Sequence, residues 1–163
     1  MLHSGWGLWI HKLNYGTFTG LVVAEKMPTD FVAIDEKGNL KTDESFRGKI
    51  VLLDFWYTTC GACFIKFPHV QSVYQKYKKN PFVEILAVNK PIEEDGPNQA
   101  FEVVKNAGYS FPVVIVKDEE MPEKWGVKFY PTTFVINQNG LVVFRGDIEK
   151  AIGLVDELSA VGR

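Results

Sequence analysis

Ile50-Val51-Leu52-Leu53-Asp54-Phe55-Trp56-Tyr57-Thr58-Thr59-Cys60-Gly61-Ala62-Cys63 is the stretch that decides how this chain is read. Its first seven residues form an apolar run broken only by Asp54, and they predict a buried strand. The residues from Cys60 to about Lys79 predict a helix. Cys60 and Cys63 are the only cysteines in the chain. They stand where strand gives way to helix. That context turns a common spacing into a specific expectation, a dithiol that cycles with a disulfide at a helix N-terminus.

The chemistry explains the placement. Attack on a disulfide needs a thiolate, and an ordinary cysteine ionises near pH ~8.5. A helix N-terminus offers unpaired N–H groups and roughly half a positive charge. Cys60, at the cap, feels that field most and is assigned as the attacking thiolate. Cys63 lies nearly one turn on, on the same face, where it can resolve a mixed disulfide. A ring this short gives little chain-entropy stabilisation, so a purely structural staple explains the pair poorly.

A structural zinc needs about four ligands, commonly two paired sets. There is no second cysteine pair, and the histidines are His3, His11 and His69. His69, six residues past Cys63, misses the usual spacing. The sequence therefore assigns no metal and no cofactor beyond the Cys60–Cys63 couple itself.

A chain of 163 residues fits one domain. Its 46% hydrophobic and 13% aromatic content is that of a folded protein. A net charge of −2 leaves no basic footprint for nucleic acid. No apolar run approaches the roughly 20 residues of a membrane span. Met1 to Ile10 lacks the basic n-region of a signal peptide. Two readings follow: a cytoplasmic protein, or a domain whose export signal or tether lies outside this sequence.

Residues 1–26 read as an aromatic and glycine-rich arm or linker, with Thr17 to Val23 a short strand within it. The domain proper is placed at 27–163. Phe31 to Ile34 and Leu40-Lys41 flank a glycine-containing polar turn and read as a hairpin. Val83 to Val88 is a second apolar strand. With 50–56 and the cysteine helix it makes a βαβ unit, so the two strands should run parallel. Asn98 to Ala107 reads as a helix ended by Gly108. Val113 to Val116 reads as a strand and Glu119 to Trp125 as a short helix. Thr132 to Ile136 and Leu141 to Phe144 form a hairpin around Asn137-Gln138-Asn139-Gly140, and Ile148 to Ala160 is a final amphipathic helix. Pro68 is expected to kink the long helix. Glu93-Glu94-Asp95 reads as a solvated loop.

Val51-Leu52-Leu53-Asp54-Phe55-Trp56, Cys60-Gly61-Ala62-Cys63 and Tyr130-Pro131-Thr132-Thr133-Phe134 together resemble the thioredoxin superfamily. The N-terminal hairpin and Phe46-Arg47-Gly48-Lys49 resemble its TlpA/ResA branch, a group of exported, often membrane-tethered bacterial thiol–disulfide oxidoreductases. The likeness spans about residues 27–160. It implies an α/β thioredoxin-like fold: a central mixed sheet flanked by helices, with an N-terminal hairpin extension. It also implies that Pro131 is a cis-proline facing the cysteines, with Tyr130-Pro131-Thr132 pairing to an extended substrate.

The resemblance further implies a proton-handling role for Asp54. A carboxyl buried among apolar strands ionises reluctantly, and it could take the proton from Cys63 as that thiol attacks. Trp56, Thr59, Gly61 and Ala62 complete the implied substrate-contacting set, with Trp56 either a site wall or core. Trp125, Phe129 and Tyr130 form either an apolar rim or core. Two residues depart from the branch pattern. Lys66 stands where a glutamate is common, and Thr59 where a tryptophan is common.

The expected function is reduction of protein disulfides by a monomer in the bacterial periplasm or cell envelope, recharged by an upstream redox donor. The competing expectation is a non-catalytic thioredoxin-like binding module of a larger envelope protein. A peroxidase reading lacks the proline that usually precedes a peroxidatic cysteine.

Overall fold

A computed structural model describes residues 25–161. The expected strand Thr17 to Val23 lies outside them. Within the described residues, β1 (Glu25–Lys26), β2 (Val32–Ile34), β3 (Leu40–Thr42) and a 3-10 turn (Asp43–Phe46) precede β4 (Ile50–Trp56). Then come α1 (Gly61–Tyr77), β5 (Val83–Asn89), α2 (Gln99–Asn106), β6 (Val113–Val116), α3 (Met121–Lys124), β7 (Thr132–Ile136), β8 (Leu141–Gly146) and α4 (Ile148–Val161). No helix among them is long and apolar enough to cross a membrane.

The strands form one mixed sheet in the order β1-β8-β7-β4-β5-β6-β2-β3. β4, β5 and β6 run parallel, and β7 returns antiparallel against β4. All seven residues of β4 are buried, which is why its sequence is apolar on both faces instead of alternating. The β2–β3 hairpin extends the sheet beyond β6. Its turn is closed by Asp35 Oδ1, which accepts from the Lys37 and Asn39 N–H groups, and by Gly38 at φ 81°.

Glu25 and Lys26 pair with Val142 and Leu141 of β8, and Glu25 meets Arg145 at 2.9 Å. Of the arm or linker assigned to residues 1–26, Glu25 and Lys26 are described and pair with the sheet, and the rest lies outside the described residues. Two paired residues are too short a run to show a strand period.

The sheet separates two apolar layers. On one face, alternate residues of β4 (Ile50, Leu52, Trp56) meet Cys63, Phe67, Val70 and Val73 of α1 and Ala151, Leu154 and Val155 of α4. On the other, Val51, Leu53 and Phe55 meet Phe31, Phe46, Trp125 and Phe134, whose rings pack mostly edge-to-face at 5.0–6.1 Å. α1 runs through Pro68 as a single helix, with Pro68 on its exposed side. α1 and α4 are also strapped at the surface. Glu149 receives Lys66 and lies 3.6 Å from His69, and Asp156 receives Lys76 and the Tyr77 hydroxyl.

Candidate active site

β4 ends at Trp56, and four residues separate it from Gly61, where α1 begins. Cys60 is the N-cap of α1. Its sulfur accepts the Cys63 N–H at 3.2 Å, so a cysteine fills the place usually taken by Ser or Asp. A group that accepts from a helix N-terminal N–H accepts better as an anion. Cys60 and Cys63 are joined as a disulfide, with Cα atoms 5.3 Å apart. Cys60 retains 3% exposure and Cys63 none. An incoming sulfur can thus meet Cys60, while Cys63 waits beneath it.

Asp54 is wholly buried in β4, on the same sheet face as Leu52 and Trp56 and so on the side of α1. The Thr133 hydroxyl donates to its Oδ1 at 2.8 Å, while Oδ2 has no partner among the described residues. Burial pushes its pKa up from the ordinary 3.8 to about 7, against the smaller lowering effect of Thr133. The carboxyl can therefore hold or release a proton near neutral pH.

The Tyr130–Pro131 peptide is cis. Tyr130 is tied to the cysteine loop through an edge-to-face contact with Tyr57 at 5.3 Å, and the Tyr57 carbonyl accepts the Cys60 N–H at 3.1 Å. Burial drives the Tyr130 hydroxyl pKa up to about 12, helped by Glu123. Thr132 turns its hydroxyl back to the Phe129 carbonyl at 2.6 Å, fixing the approach to the cis bond.

A Redoxin family model matches residues 22–157, most of the chain. The chain belongs to the Redoxin family. Among similar proteins is the thiol-disulfide oxidoreductase ResA of Geobacillus kaustophilus, 38% identical over 130 residues, 79% of this chain and 72% of that one. ResA of Geobacillus thermodenitrificans is 34% identical over 142 residues, 87% of this chain and 79% of that protein. The crystal structure of a putative thiol:disulfide interchange protein DsbE from Chlorobium tepidum superposes with a TM-score of 0.68 at 28% identity, covering 86% of this chain and 98% of that one.

On this Redoxin frame the residues singled out from the sequence sort by depth. Thr59, Gly61 and Ala62 are exposed around Cys60, and Tyr130, Pro131 and Thr132 are partly exposed. Trp56 is not an outer wall. It is wholly buried, with its ring against Phe64 and Phe67, and so backs the cysteines from inside. Trp125 is core, whereas Phe129 stands 78% exposed beside the cis bond. Lys66 is only 30% exposed and is engaged by Glu149, which raises its pKa; it is not a free solvated lysine.

Asp95 is the residue that sequence reasoning passed over. Glu93 and Glu94 are solvated, but Asp95 Oδ1 accepts from Thr58, two residues before Cys60, and its Oδ2 accepts the Ile92 N–H at 3.1 Å. An acidic triplet in a loop carries no pattern that separates one anchored member from its neighbours.

Proposed function

We propose that this Redoxin is a thiol–disulfide oxidoreductase that reduces protein disulfides. The observation that carries the reading is Cys60 at the N-cap of α1, its sulfur on the Cys63 N–H, with a buried carboxyl that ionises near neutral pH on the same side of the sheet.

In the reduced protein, Cys60 thiolate attacks one sulfur of a substrate disulfide. An S–S bond forms between Cys60 and that sulfur, and the substrate's own S–S bond breaks. Its second sulfur leaves as a thiolate and takes a proton from solvent. Cys63 then gives its proton to Asp54 and attacks Cys60 Sγ. The mixed disulfide breaks, the remaining substrate sulfur leaves as a thiolate that takes up a proton from solvent, Asp54 returns its proton to solvent, and Cys60–Cys63 forms. Two electrons pass from the protein to the substrate. An upstream dithiol donor must return them.

The partly exposed Tyr130-Pro131-Thr132 segment supplies backbone to which an extended substrate chain can pair, and Thr59, Gly61 and Ala62 frame the sulfur under attack. The resemblance to exported TlpA/ResA proteins and the ResA relatives support action in the bacterial cell envelope. They also favour reduction over oxidation.

The deciding experiment is the reduction potential of the Cys60–Cys63 couple, from equilibration against glutathione or dithiothreitol and trapping of free thiols. A value near about −270 mV fits a reductant, while one near about −120 mV marks an oxidase and overturns the direction proposed. Full disulfide-reducing activity in Cys60→Ser would overturn the mechanism.

A further inference from the structure

The loop that presents Cys60 is held at several points, and all but one lie within the motif, in the backbone or in the neighbouring aromatic contact. The Cys60 N–H reaches the Tyr57 carbonyl at 3.1 Å, the Cys63 N–H reaches Cys60 Sγ at 3.2 Å, and the Lys90 N–H reaches the Trp56 carbonyl at 2.9 Å. The Tyr57 ring leans on Tyr130. The remaining hold is a hydrogen bond from the Thr58 hydroxyl to Asp95, thirty-seven residues away in sequence.

Both ends of that bond are prepared. Thr58 is 8% exposed, so its hydroxyl would be costly to leave unpaired. Asp95 sits in a locked turn: its N–H donates to the Ile92 carbonyl at 3.0 Å, and the Ile92 N–H donates to Asp95 Oδ2 at 3.1 Å. Each carboxylate oxygen therefore has a partner. A charged acceptor makes the stronger kind of hydrogen bond.

We propose that Asp95 is a positioning residue for Cys60, acting through Thr58. The field of a helix N-terminus fades within the first turn. A sulfur that drifts from the Cys63 N–H loses both the hydrogen bond and the field. Displacement by about 1 Å can cost roughly a hundredfold in rate. The inference deepens the reading of Cys60 as the attacking sulfur, but its first readout needs no substrate.

The test is the rate at which iodoacetamide alkylates Cys60 in the fully reduced, full-length protein. Thr58→Val and Asp95→Ala should each slow it about tenfold. The double variant should be no slower than the slower single one, because both remove the same tether. Thr58→Ser, which keeps the hydroxyl, should restore most of the rate. Charge cannot mimic this result. Removing a carboxylate near a thiol favours the thiolate and speeds alkylation, so a slower Asp95→Ala reports the lost tether.

Wild-type alkylation rates in Thr58→Val and Asp95→Ala would overturn the proposal, even if both melt earlier. Losses that multiply in the double variant would overturn it too. If Asp95→Ala does not fold, the Thr58→Val and Thr58→Ser pair decides alone. A wild-type protein that alkylates at Cys60 but reduces no protein disulfide would sink the functional reading and leave this one standing.

Discussion

Asp54 and Thr133 face each other across β4 and β7, and the Thr133 hydroxyl donates to Asp54 Oδ1 at 2.8 Å. One hydroxyl does not replace the water that a carboxylate loses on full burial, and the pKa of Asp54 stands at about 7. This makes Asp54 a liability for stability at neutral pH.

The sign follows from proton counting. Below pH ~4 both folded and unfolded chains hold the Asp54 proton. As pH rises, the unfolded chain gives it up while the folded chain keeps it, so stability falls until pH reaches about 7 and then levels. The full effect is roughly 4 kcal/mol at about 1.4 kcal/mol per pH unit, an upper value. Asp54→Asn should remove this slope and be the more stable protein at pH 8. Denaturant melts of the oxidised forms at pH 5 and pH 8 measure it, and parallel pH profiles for the two proteins would refute it.

The same substitution should slow resolution of the mixed disulfide. Asp54 can accept the Cys63 proton only when ionised, so resolution in the native protein should rise through pH about 7 and plateau above it. Asp54→Asn should lose the inflection and about a hundredfold in rate, the low end of what a positioned base supplies. Rapid quenching in acid followed by thiol counting resolves the step. Cys63→Ser should trap the adduct on Cys60 outright.

Phe129 should matter only to large substrates. It is 78% exposed, and its carbonyl is pinned by Thr132. Burying such a ring under a partner is worth roughly 1.5–3 kcal/mol. Phe129→Ala should raise KM for a protein disulfide about tenfold and leave the reaction with dithiothreitol untouched. Equal losses toward both reagents would show that the ring acts on the cysteines instead.

Trp125 should do the opposite. It is 1% exposed and packs against Phe31, Phe55 and Phe134 on the sheet face away from α1. Trp125→Ala should cost about 3–5 kcal/mol, while the folded fraction keeps the native reduction potential. A shifted potential in that fraction would show coupling across the sheet.

The strand, helix and hairpin pattern was legible because each element carries a local signature. The apolar run of β4, broken only by Asp54, the cysteine at the start of α1 and the Asn-Gly turn before β8 each fix an element from a few adjacent residues. Depth was not legible. Trp56 and Trp125 are both core while Phe129 is surface, yet all three are aromatics near a motif, and only the packed sheet decides which way each side chain points. The long-range polar contacts were hidden for a related reason. Lys66 with Glu149 spans eighty-three residues and Thr58 with Asp95 thirty-seven, and no sequence period links such pairs.

The partition of the interior by the sheet has an evolutionary consequence. Substitutions in the layer of Phe31, Phe46, Phe55 and Trp125 are felt as volume and stability. Those in the layer that holds Cys63, Asp54 and Phe67 are felt also as chemistry. One side of the molecule can therefore drift among apolar residues of similar bulk as a lineage adapts to heat or cold. The other side is restrained by what the sulfur atoms must do.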